Sequence, residues 1–444
     1  MNYAMVCKIR EREASLNRRD FIAGGVAACV LPSWAAMFAQ TFAAGARHPA
    51  AGHALAPWRK GHFQIHFIYT GVAESIFLLY PDGTSLLIDC GDIAAHKRGK
   101  YAVPILPGLE RHAGEWIARY VLRVNPRREK VDYMLLSHYH SDHGGGRGYH
   151  AGLAPNGEYY LSGFGQAMEW LSFGKAIDRA WPTFDDPLPR RPEDDTWMLA
   201  NMKGVYRELE RRGTIVERFR LEKNSRQLAP LHGDAKGFGI RPLCANGRIL
   251  MRDGTVRDLY ADYIARTKTK SVNENAMSIG MKFMYGPFGF YTAGDFEDQI
   301  SQTDGSRREI EDDMAEAVGQ ATVAKIDHHG NKSMHSKLVA ALRSQVYVDC
   351  IWDWFHTDDA TMTRLADRSL YPGDRLLCPG ILTKERRVRD AGRPWLRDVP
   401  EACYDGAHIV VDVPQGGEIF SLSFVSAKDE TMNVMSRVDM KTRT

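Results

Sequence analysis

Apolar and polar residues alternate at the start of the folded part of the chain, which predicts strands. The stretch HFQIHFIYTG alternates, ESIFLLY follows it, and the turn Pro81-Asp82-Gly83 leads into TSLLIDCGD, so we expect three consecutive strands. Between residues 104 and 123 the apolar side chains recur at the spacing of one helix face, which predicts a helix. The apolar run KVDYMLLS then predicts a buried strand.

The second half of the chain repeats this mixture of strands and helices. MSIGMKFMYGPFGFYTAGDFE predicts a strand pair that turns at Gly286-Pro287, and AHIVVDVPQGGEIFSLSFVS predicts a hairpin around Gly416-Gly417. ATVAKIDHHG and QVYVDCIW predict two more strands. The fold class is therefore α/β. Helices are predicted at 196–212, 308–319 and about 336–342.

Three regions lack these periodic patterns. Residues 47–60, rich in Pro and Ala, predict a linker. Residues 149–195 are rich in aromatic side chains and end in a proline cluster, so they predict an insertion whose rings either cover a site or pack a subdomain. Residues 427–444 are polar and predict a flexible tail.

Residues 1–46 have the layout of an export signal. Arg18 and Arg19 precede a weakly apolar run rich in Ala and Gly, and small residues at its end offer a cleavage site. The layout resembles a twin-arginine signal, which implies a periplasmic or secreted protein that is exported after it has folded. A buried helix and a lipoprotein anchor at Cys29 are the alternatives.

The composition is that of an ordinary globular protein. Of the 444 residues 44% are hydrophobic and 25% are charged, and the formal net charge is +3. This charge does not indicate nucleic acid as a partner, although it leaves such a substrate open. No stretch after the export signal is long and apolar enough to span a bilayer. The cysteines there are widely spaced and lack a CxxC pair, which argues against a disulfide scaffold and leaves one bridge open, with unassigned partners.

The strongest chemical signal is the run LLSHYHSDHGGG, which places His138, His140, Asp142 and His143 directly after a predicted strand. Side chains two positions apart share a direction where the backbone is extended or tightly turned, so two imidazoles can converge on one ion. The next Asp and His can then turn toward a second ion, while the glycines let the backbone bend beneath them. Because burying several unpartnered imidazoles is costly, this pattern predicts a metal site.

The H-x-H-x-D-H pattern in this setting resembles the metallo-β-lactamase superfamily, and the likeness extends from about residue 61 to 426. The order of LLIDCGD, the histidine run, TAGD and HHG is most similar to the branch that contains ComEC-type DNA-uptake hydrolases and phosphorylcholine esterases. The resemblance implies an αββα sandwich with the aromatic-rich insertion at about 149–195. It also implies that Asp89 and Asp295, each closing a strand, join the site, with Asp295 as a bridge between two ions.

Two features depart from that branch. The glycine-rich element of those relatives is YTGVAES here, which weakens the case for nuclease-type substrate handling. Many superfamily members also supply a middle histidine before the bridging aspartate, where this chain has only His150 and His232. His150 lies too close to the first loop, and we expect His232 to be a loop residue rather than a ligand. The esterase-like branch does without this ligand.

The pair of histidines in KIDHHGNKS supplies the last ligand. Successive residues that leave a strand face opposite ways, so one of His328 and His329 is expected to bind metal while the other braces it, and the sequence leaves the choice open. Lys332 and Ser333 could contact an anionic group of the substrate, with a solvated loop lysine as the alternative. Two further histidines are weaker pocket candidates, His335 and His356.

The expected function is hydrolysis of ester or phosphodiester bonds in a small-molecule or oligomeric substrate, with a hydroxide shared by two divalent ions as the nucleophile. Zinc is the first expectation, and manganese or iron would also suit nitrogen and oxygen ligands. Asp142 and Asp89 are the candidate catalytic carboxylates. Because Asp295 rather than a cysteine takes the bridging place, a lactam-cleaving enzyme is disfavoured. A binding protein of the same fold without turnover and a di-iron redox protein are the alternatives.

Overall fold

The computed structural model describes residues 52–71, 73–93, 103–146, 151–189, 197–350 and 357–444. The predicted export signal at 1–46, with its cleavage site and Cys29, lies outside the described residues. His150 and His356 lie outside them as well.

The strands group into three sheets. Within the described residues there are a ten-stranded sheet, an eight-stranded sheet and a two-stranded ribbon. In chain order the strands are β1 (His53–Ala54), β2 (Phe63–Phe67), β3 (Ile76–Leu79), β4 (Ser85–Ile88), β5 (Lys130–Leu135), β6 (Ser172–Asp178), β7 (Ile215–Arg218), β8 (Phe238–Ala245), β9 (Arg248–Leu250), β10 (Val256–Asp258), β11 (Gly280–Tyr285), β12 (Phe288–Thr292), β13 (Gln299–Ser301), β14 (Arg307–Glu309), β15 (Val323–Lys325), β16 (Val346–Asp349), β17 (Leu376–Pro379), β18 (Ala407–Val413), β19 (Ile419–Ser426) and β20 (Asn433–Lys441).

The helices predicted from the sequence are all present: the one at 336–342 has the predicted ends, and the ends of the others are shifted. The helix expected over 104–123 begins only at Ala113, because Pro104 and Pro107 precede it and a proline inside a helix removes a backbone hydrogen bond. In chain order the α-helices are α1 (Ala113–Val124), α2 (Ser141–Gly144), α3 (Phe164–Ala167), α4 (Trp197–Arg211), α5 (Ala261–Thr267), α6 (Ile310–Val318), α7 (Ser336–Leu342), α8 (Asp359–Ala366) and α9 (Lys384–Arg389).

Both large sheets join an antiparallel part to a parallel part. The larger sheet has the order β1-β20-β19-β18-β2-β3-β4-β5-β6-β7, and its strands run parallel from β4 to β7. The other has the order β10-β9-β8-β11-β12-β15-β16-β17, and its strands run parallel from β12 to β17. The predicted hairpins at Gly286-Pro287 and Gly416-Gly417 are the pairs β11–β12 and β18–β19.

The two large sheets pack face to face. The ring of Phe63 on β2 lies 6.2 Å from that of Phe283 on β11, and the rings of Phe67 and Phe290 are 5.6 Å apart. These side chains belong to one buried cluster that spans both sheets. A second buried cluster joins the other face of the larger sheet to α1 and α4. The architecture is a mixed α/β fold compatible with an α/β sandwich.

The described part of the predicted insertion, residues 151–189, supplies a strand to the larger sheet rather than lying beside it. Its strand β6 lies between β5 and β7 and runs parallel to both. Several of its aromatic rings are core residues: Tyr159, Phe164, Phe173 and Phe184 are buried. β6 was not predicted from the sequence because buried and exposed positions do not alternate regularly along its residues SFGKAID.

The tail beyond residue 427 is also ordered, contrary to the prediction. β20 pairs with β19 from Ile419↔Lys441 to Val425↔Val434, and β1 pairs with its outer edge. A polar sequence did not indicate this strand. Backbone groups on the edge of β19 pair with any extended chain, whatever its side chains, and this pairing does not need apolar residues.

Two further expectations concern membranes and disulfides. No helix in the described part of the chain has both the length and the apolar character needed to cross a membrane. The cysteines that the structure describes are all buried free thiols: Cys90, Cys244, Cys350, Cys378 and Cys403.

Candidate metal centre

Four strands end at one place, and the residues just beyond them form the candidate metal centre. Asp89 follows β4, His138 follows β5, Asp295 follows β12 and His329 follows β15. β4 runs parallel to β5 in one sheet, and β12 runs parallel to β15 in the other. Because the carboxyl ends of parallel strands meet at one edge, the topology brings each pair together.

The H-x-H-x-D-H loop makes a tight turn at this edge. His140 precedes the single-turn helix α2, and the backbone N–H of His143 donates to its carbonyl at 3.1 Å. Gly145 follows with a φ of +74°, a conformation that favours glycine. The loop packs on Gly91, where an added Cβ would lie 1.7 Å from the carbonyl oxygen of Asp142. Only a glycine at position 91 permits this approach.

His138, His140 and Asp295 form a first group that could hold a metal ion. His138 Nε2 lies 3.0 Å from His140 Nδ1 and 3.7 Å from Asp295 Oδ2. Ser137 Oγ uses its own proton on Asp89, so it accepts the proton of His138 Nδ1 at 3.1 Å. This bond leaves the lone pair of His138 Nε2 turned toward His140 and Asp295.

Glu74, His143, Asp295 and His329 form a second group that could hold a metal ion, and all four are buried. Asp295 Oδ1 lies 3.1 Å from His143 Nε2 and 3.2 Å from His329 Nε2, and these two nitrogens are 3.2 Å apart. Asp142 Oδ2 lies 3.5 Å from His329 Nε2 and 3.9 Å from His143 Nε2. Donor atoms at about 2.0–2.2 Å from a tetrahedral ion stand about 3.3–3.6 Å apart, so this spacing fits one ion.

Glu74 and Asp142 lie on different sides of His329. Glu74 Oε2 is 3.6 Å from His329 Nδ1, whereas Asp142 Oδ2 faces His329 Nε2. The two nitrogens of an imidazole point in divergent directions, so an ion bound by Nε2 has Asp142 rather than Glu74 beside it. Glu74 instead forms an ion pair with Lys325, with Oε2 at 2.8 Å from Nζ.

Asp89 stands behind His143. Its Oδ2 accepts the proton of His143 Nδ1 at 2.8 Å, and its Oδ1 accepts the backbone N–H of Ser137 at 2.7 Å. Because Asp295 lies on the opposite, Nε2 side of the His143 ring, Asp89 does not reach the space between the ligands. Asp89 is thus placed to orient His143, and its catalytic role stays a prediction.

The HHG turn separates its two histidines. Both residues have a positive φ, 44° for His328 and 50° for His329, so the two rings diverge by a left-handed turn rather than by the alternation of a strand. His329 is buried in the ligand group. His328 Nε2 lies 3.1 Å from the Asn275 amide, and His328 Nδ1 lies 3.4 Å from Glu297. Of the two histidines, His329 is the one that lies in a group that could hold a metal ion.

The two expected substrate-contacting residues behave differently. Ser333 is fully buried and its hydroxyl donates to the carbonyl of Asp327, so it is not on a surface that a substrate could reach. Lys332 has an exposed side chain, and its backbone N–H donates to Asp358 Oδ2 at 2.9 Å. Its contact with a substrate remains a prediction.

Two further histidines lie away from the ligand groups. His232 Nε2 is 2.9 Å from Oδ1 of Asp132, a residue of β5. The backbone N–H of His232 donates to Asp82. His335 Nε2 is 3.3 Å from Glu309 Oε2. His232 is therefore a loop residue, as expected, and neither ring joins the ligands.

Burial and charge shift the pKa values of the cluster in opposite directions. Burial lowers the pKa of His138 well below its usual range. Burial acts the same way on His143 and His329, but the neighbouring carboxylates together outweigh it, Asp295 foremost, so the pKa of His143 is raised and that of His329 is raised to about 9. Burial would raise the pKa of Asp295, yet His143, His329 and Lys325 hold it well below its usual range. The carboxylates thus favour positive charge here, and a bound cation must displace these protons.

Some residues that hold the loops in place were not predicted from the sequence. Glu274 accepts the backbone N–H of Tyr139 at 2.9 Å, inside the histidine run, and pairs with Arg179 at 2.8 Å. Single polar residues in separate segments give no pattern to find. Lys325 did leave a signal, because a charged residue at the end of the apolar strand ATVAK is unusual in a core. Glu74 is one acidic residue ahead of ESIFLLY, with nothing to set it apart.

Neither protein-family models nor curated proteins give a match to this chain. The class of protein therefore rests on the fold and the site. It is a mixed α/β protein whose parallel strand ends gather a buried cluster of His, Asp and Glu that could hold a metal ion.

Proposed function

We propose that the protein is a hydrolase of ester or phosphodiester bonds that depends on two divalent metal ions and is built on a metallo-β-lactamase αββα sandwich. The proposal rests on the position of Asp295, whose two carboxylate oxygens face the two groups of candidate ligands. Oδ2 lies 3.7 Å from His138 Nε2, and Oδ1 lies 3.1 Å from His143 Nε2. A carboxylate in this position can bridge a pair of ions.

The charge of the cluster supports cation binding. Asp89, Asp142 and Asp295 are carboxylates with side chains exposed by 0%, 14% and 2%. Lys325 contributes one buried positive charge beside Asp295, at 3.4 Å. Buried charges are stable only when opposite charges compensate them, so the negative surplus favours divalent cations at this place.

The donor set suits several divalent metals. His138, His140 and Asp295 would hold one ion, while Asp142, His143, His329 and the same Asp295 would hold the other. Nitrogen and oxygen donors of this kind suit zinc first and manganese or iron as well. Ions held here would lower the pKa of a water molecule toward about 7 and offset the charge that develops on a substrate oxygen.

The chain's own residues define how a substrate approaches. His140 and Asp142 are partly exposed, whereas His138, His143, Asp295 and His329 are buried. The cluster therefore opens to solvent on the side of His140 and Asp142. On the opposite side Asp89 and Ser137 hold the imidazole rings and keep their Nε2 atoms turned inward.

Metal analysis followed by assays on generic phosphodiesters and carboxyl esters tests the proposal. We expect about two divalent ions per chain and turnover that a chelator abolishes and zinc restores. His138→Ala and Asp142→Ala should each lower kcat/KM by more than about 100-fold. This loss is larger than the loss expected when a residue that only hydrogen-bonds to a metal ligand is removed. His232→Ala is the matched control, because that ring contacts Asp132 and no ligand.

Four results would separate the hydrolase from the binding protein and from the di-iron redox protein. Protein that takes up no divalent ion, or turnover that survives both substitutions, contradicts the proposal. Protein that binds metal without turning over any substrate supports the binding protein, and an ion that changes oxidation state with oxygen supports the di-iron protein.

We also propose that the protein is exported by the twin-arginine route, on the strength of Arg18 and Arg19 ahead of a weakly apolar run. Replacing both with lysine should retain the protein in the cytoplasm, as cell fractionation would show. Lysine at Arg10 and Arg12 is the control, since it alters two nearby basic residues outside the pair. Continued export of the Arg18 and Arg19 variant contradicts this route.

A further inference from the structure

Lys325 is a charged residue in the interior of the protein. Its side chain and that of Glu74 are both 0% exposed, and they form an ion pair at 2.8 Å. The ammonium also lies 3.4 Å from Asp295 Oδ1 and donates to the carbonyl of Gly294. Burying an ammonium away from water costs free energy unless partners of opposite charge or carbonyl oxygens are fixed around it. The contacts of Lys325 therefore stabilise its charge inside the core.

The pair contacts each segment that supplies Asp142, His143, Asp295 or His329, the proposed ligands of the second ion. The backbone N–H of Glu74 donates to the carbonyl of Asp142 at 2.7 Å. Its carboxylate lies 3.6 Å from His329 Nδ1. Lys325 reaches Asp295 through Oδ1, the oxygen that also faces His143 and His329. The carboxylate of Asp349 also faces His329 Nδ1, at 3.8 Å.

We propose that Lys325 and Glu74 are the positioning pair of the metal centre. Lys325 holds Asp295 Oδ1, and Glu74 holds the Nδ1 side of His329, so the donors are in place before a cation arrives. The proposal rests on metal binding, the first half of the proposed function, and does not depend on hydrolysis.

If the ion pair served only the stability of the fold, its replacement would have a different effect. Two buried charges that serve only the fold can be replaced together by uncharged residues of similar size with little loss of stability. A positioning pair cannot be replaced in this way without effect on the metal, because Asp295 loses the contact that fixes its oxygen. Removing an outer-shell partner of a metal ligand weakens binding by about 10–100-fold.

The test compares Lys325→Met, Glu74→Gln and the double variant with the wild-type protein. Zinc affinity is measured by competition with a chromophoric chelator, cobalt coordination by its visible absorption spectrum, and stability by the thermal midpoint in excess chelator. Lys282→Met is the matched control. That lysine lies on β11, and its ammonium donates to the carbonyl of Val318 at 3.2 Å rather than contacting a ligand.

We expect Lys325→Met to weaken zinc binding by about 10–100-fold and to change the cobalt spectrum, while Lys282→Met does neither. The double variant should recover the wild-type thermal midpoint in chelator yet keep a zinc affinity at least about 10-fold weaker. If either single variant does not fold, the double variant decides the question.

Zinc affinity that equals the wild-type value in Lys325→Met, or that recovers in the double variant together with its thermal midpoint, overturns the positioning role. Wild-type protein that binds no zinc overturns this inference and the proposed function together. Wild-type protein that binds zinc but hydrolyses nothing contradicts the proposed function alone.

Discussion

Two side chains outside the ligand set, Asp89 and Ser137, decide which nitrogen of each neighbouring histidine faces the site. Asp89 accepts the proton of His143 Nδ1, and Ser137 accepts that of His138 Nδ1. Both histidines are buried, so they cannot exchange these partners for water. These bonds therefore fix both rings with Nε2 facing the site before any ion binds.

Asp89→Asn should weaken metal binding by about 10–100-fold, because an amide in place of the carboxylate no longer stabilises the proton on His143 Nδ1. Zinc competition titration measures the change. Asp92→Asn is the matched control in the same loop, since Asp92 accepts from Ser162 at 3.1 Å and contacts no ligand. An unchanged affinity in Asp89→Asn would show that the bond to His143 is dispensable.

The adjacent histidines of the HHG turn allow a paired prediction. His329→Ala removes a ligand from the second group, so the metal content should fall from about two ions to about one. His328→Ala changes the neighbouring residue, whose ring contacts Asn275, and should leave the metal content unchanged. Elemental analysis of the two purified variants gives the answer, and the opposite pattern would assign the ligand to His328.

At the scale of elements, the histidine loop depends on close backbone contact with the loop after β4. The N–H groups of Cys90 and Asp92 donate to the carbonyls of His143 and Ser141 at 2.7 and 2.9 Å. Gly91 lies between these two bonds. The contact joins two loops that follow neighbouring parallel strands, so it ties the ligands of the first loop to Asp89.

Gly91→Ala should disrupt this contact, because the added Cβ would meet the carbonyl oxygen of Asp142. We expect a loss of about 1–3 kcal/mol in the free energy of unfolding, together with weaker zinc binding. Urea denaturation and the zinc titration measure the two effects. Gly152→Ala is the control, since nothing lies within 4 Å of a Cβ at that position. Equal stability of both variants would contradict the close approach.

At the scale of the whole molecule, two buried histidines outside the ligand groups couple stability to pH. His66 on β2 lies between Gln64 and the hydroxyl of Tyr120, and His408 on β18 accepts the backbone N–H of Tyr69 at 3.1 Å. Burial lowers the pKa of both imidazoles to about 3. Each ring therefore stays neutral in the folded protein as the pH falls toward about 3.

The unfolded chain takes up protons on these histidines below their ordinary pKa of about 6.5, whereas the folded chain does so only near 3. The free energy of unfolding should thus fall as the pH drops from about 6.5 toward 3, by about 2 kcal/mol for each ring at about pH 5. Urea denaturation at pH 7 and pH 5 measures the fall. His66→Gln with His408→Gln should reduce it, and exposed His53→Gln should not. An equal fall in all variants would contradict this origin.

Much of the fold and of the ligand set could be predicted because the relevant signals are local. The turn at Pro81-Asp82-Gly83 and the hairpins follow from side-chain pattern and turn chemistry, which act over a few residues. The run from His138 to His143 holds several ligands within one loop. β6 and β20 escaped prediction because their place depends on neighbouring strands rather than on their own polarity.

The order of residues alone therefore predicts an α/β chain whose strands end in side chains that could bind a metal ion, because hydrophobic periodicity and donor chemistry depend on nearby residues. Only the tertiary structure shows that Asp295 lies between two donor groups and that His329, rather than His328, is in one of them. It also shows that Glu74 and Lys325 form a buried ion pair next to these residues. These facts depend on contacts between segments far apart in the chain. Such contacts arise from sheet pairing and from a left-handed turn, and a linear pattern does not encode them.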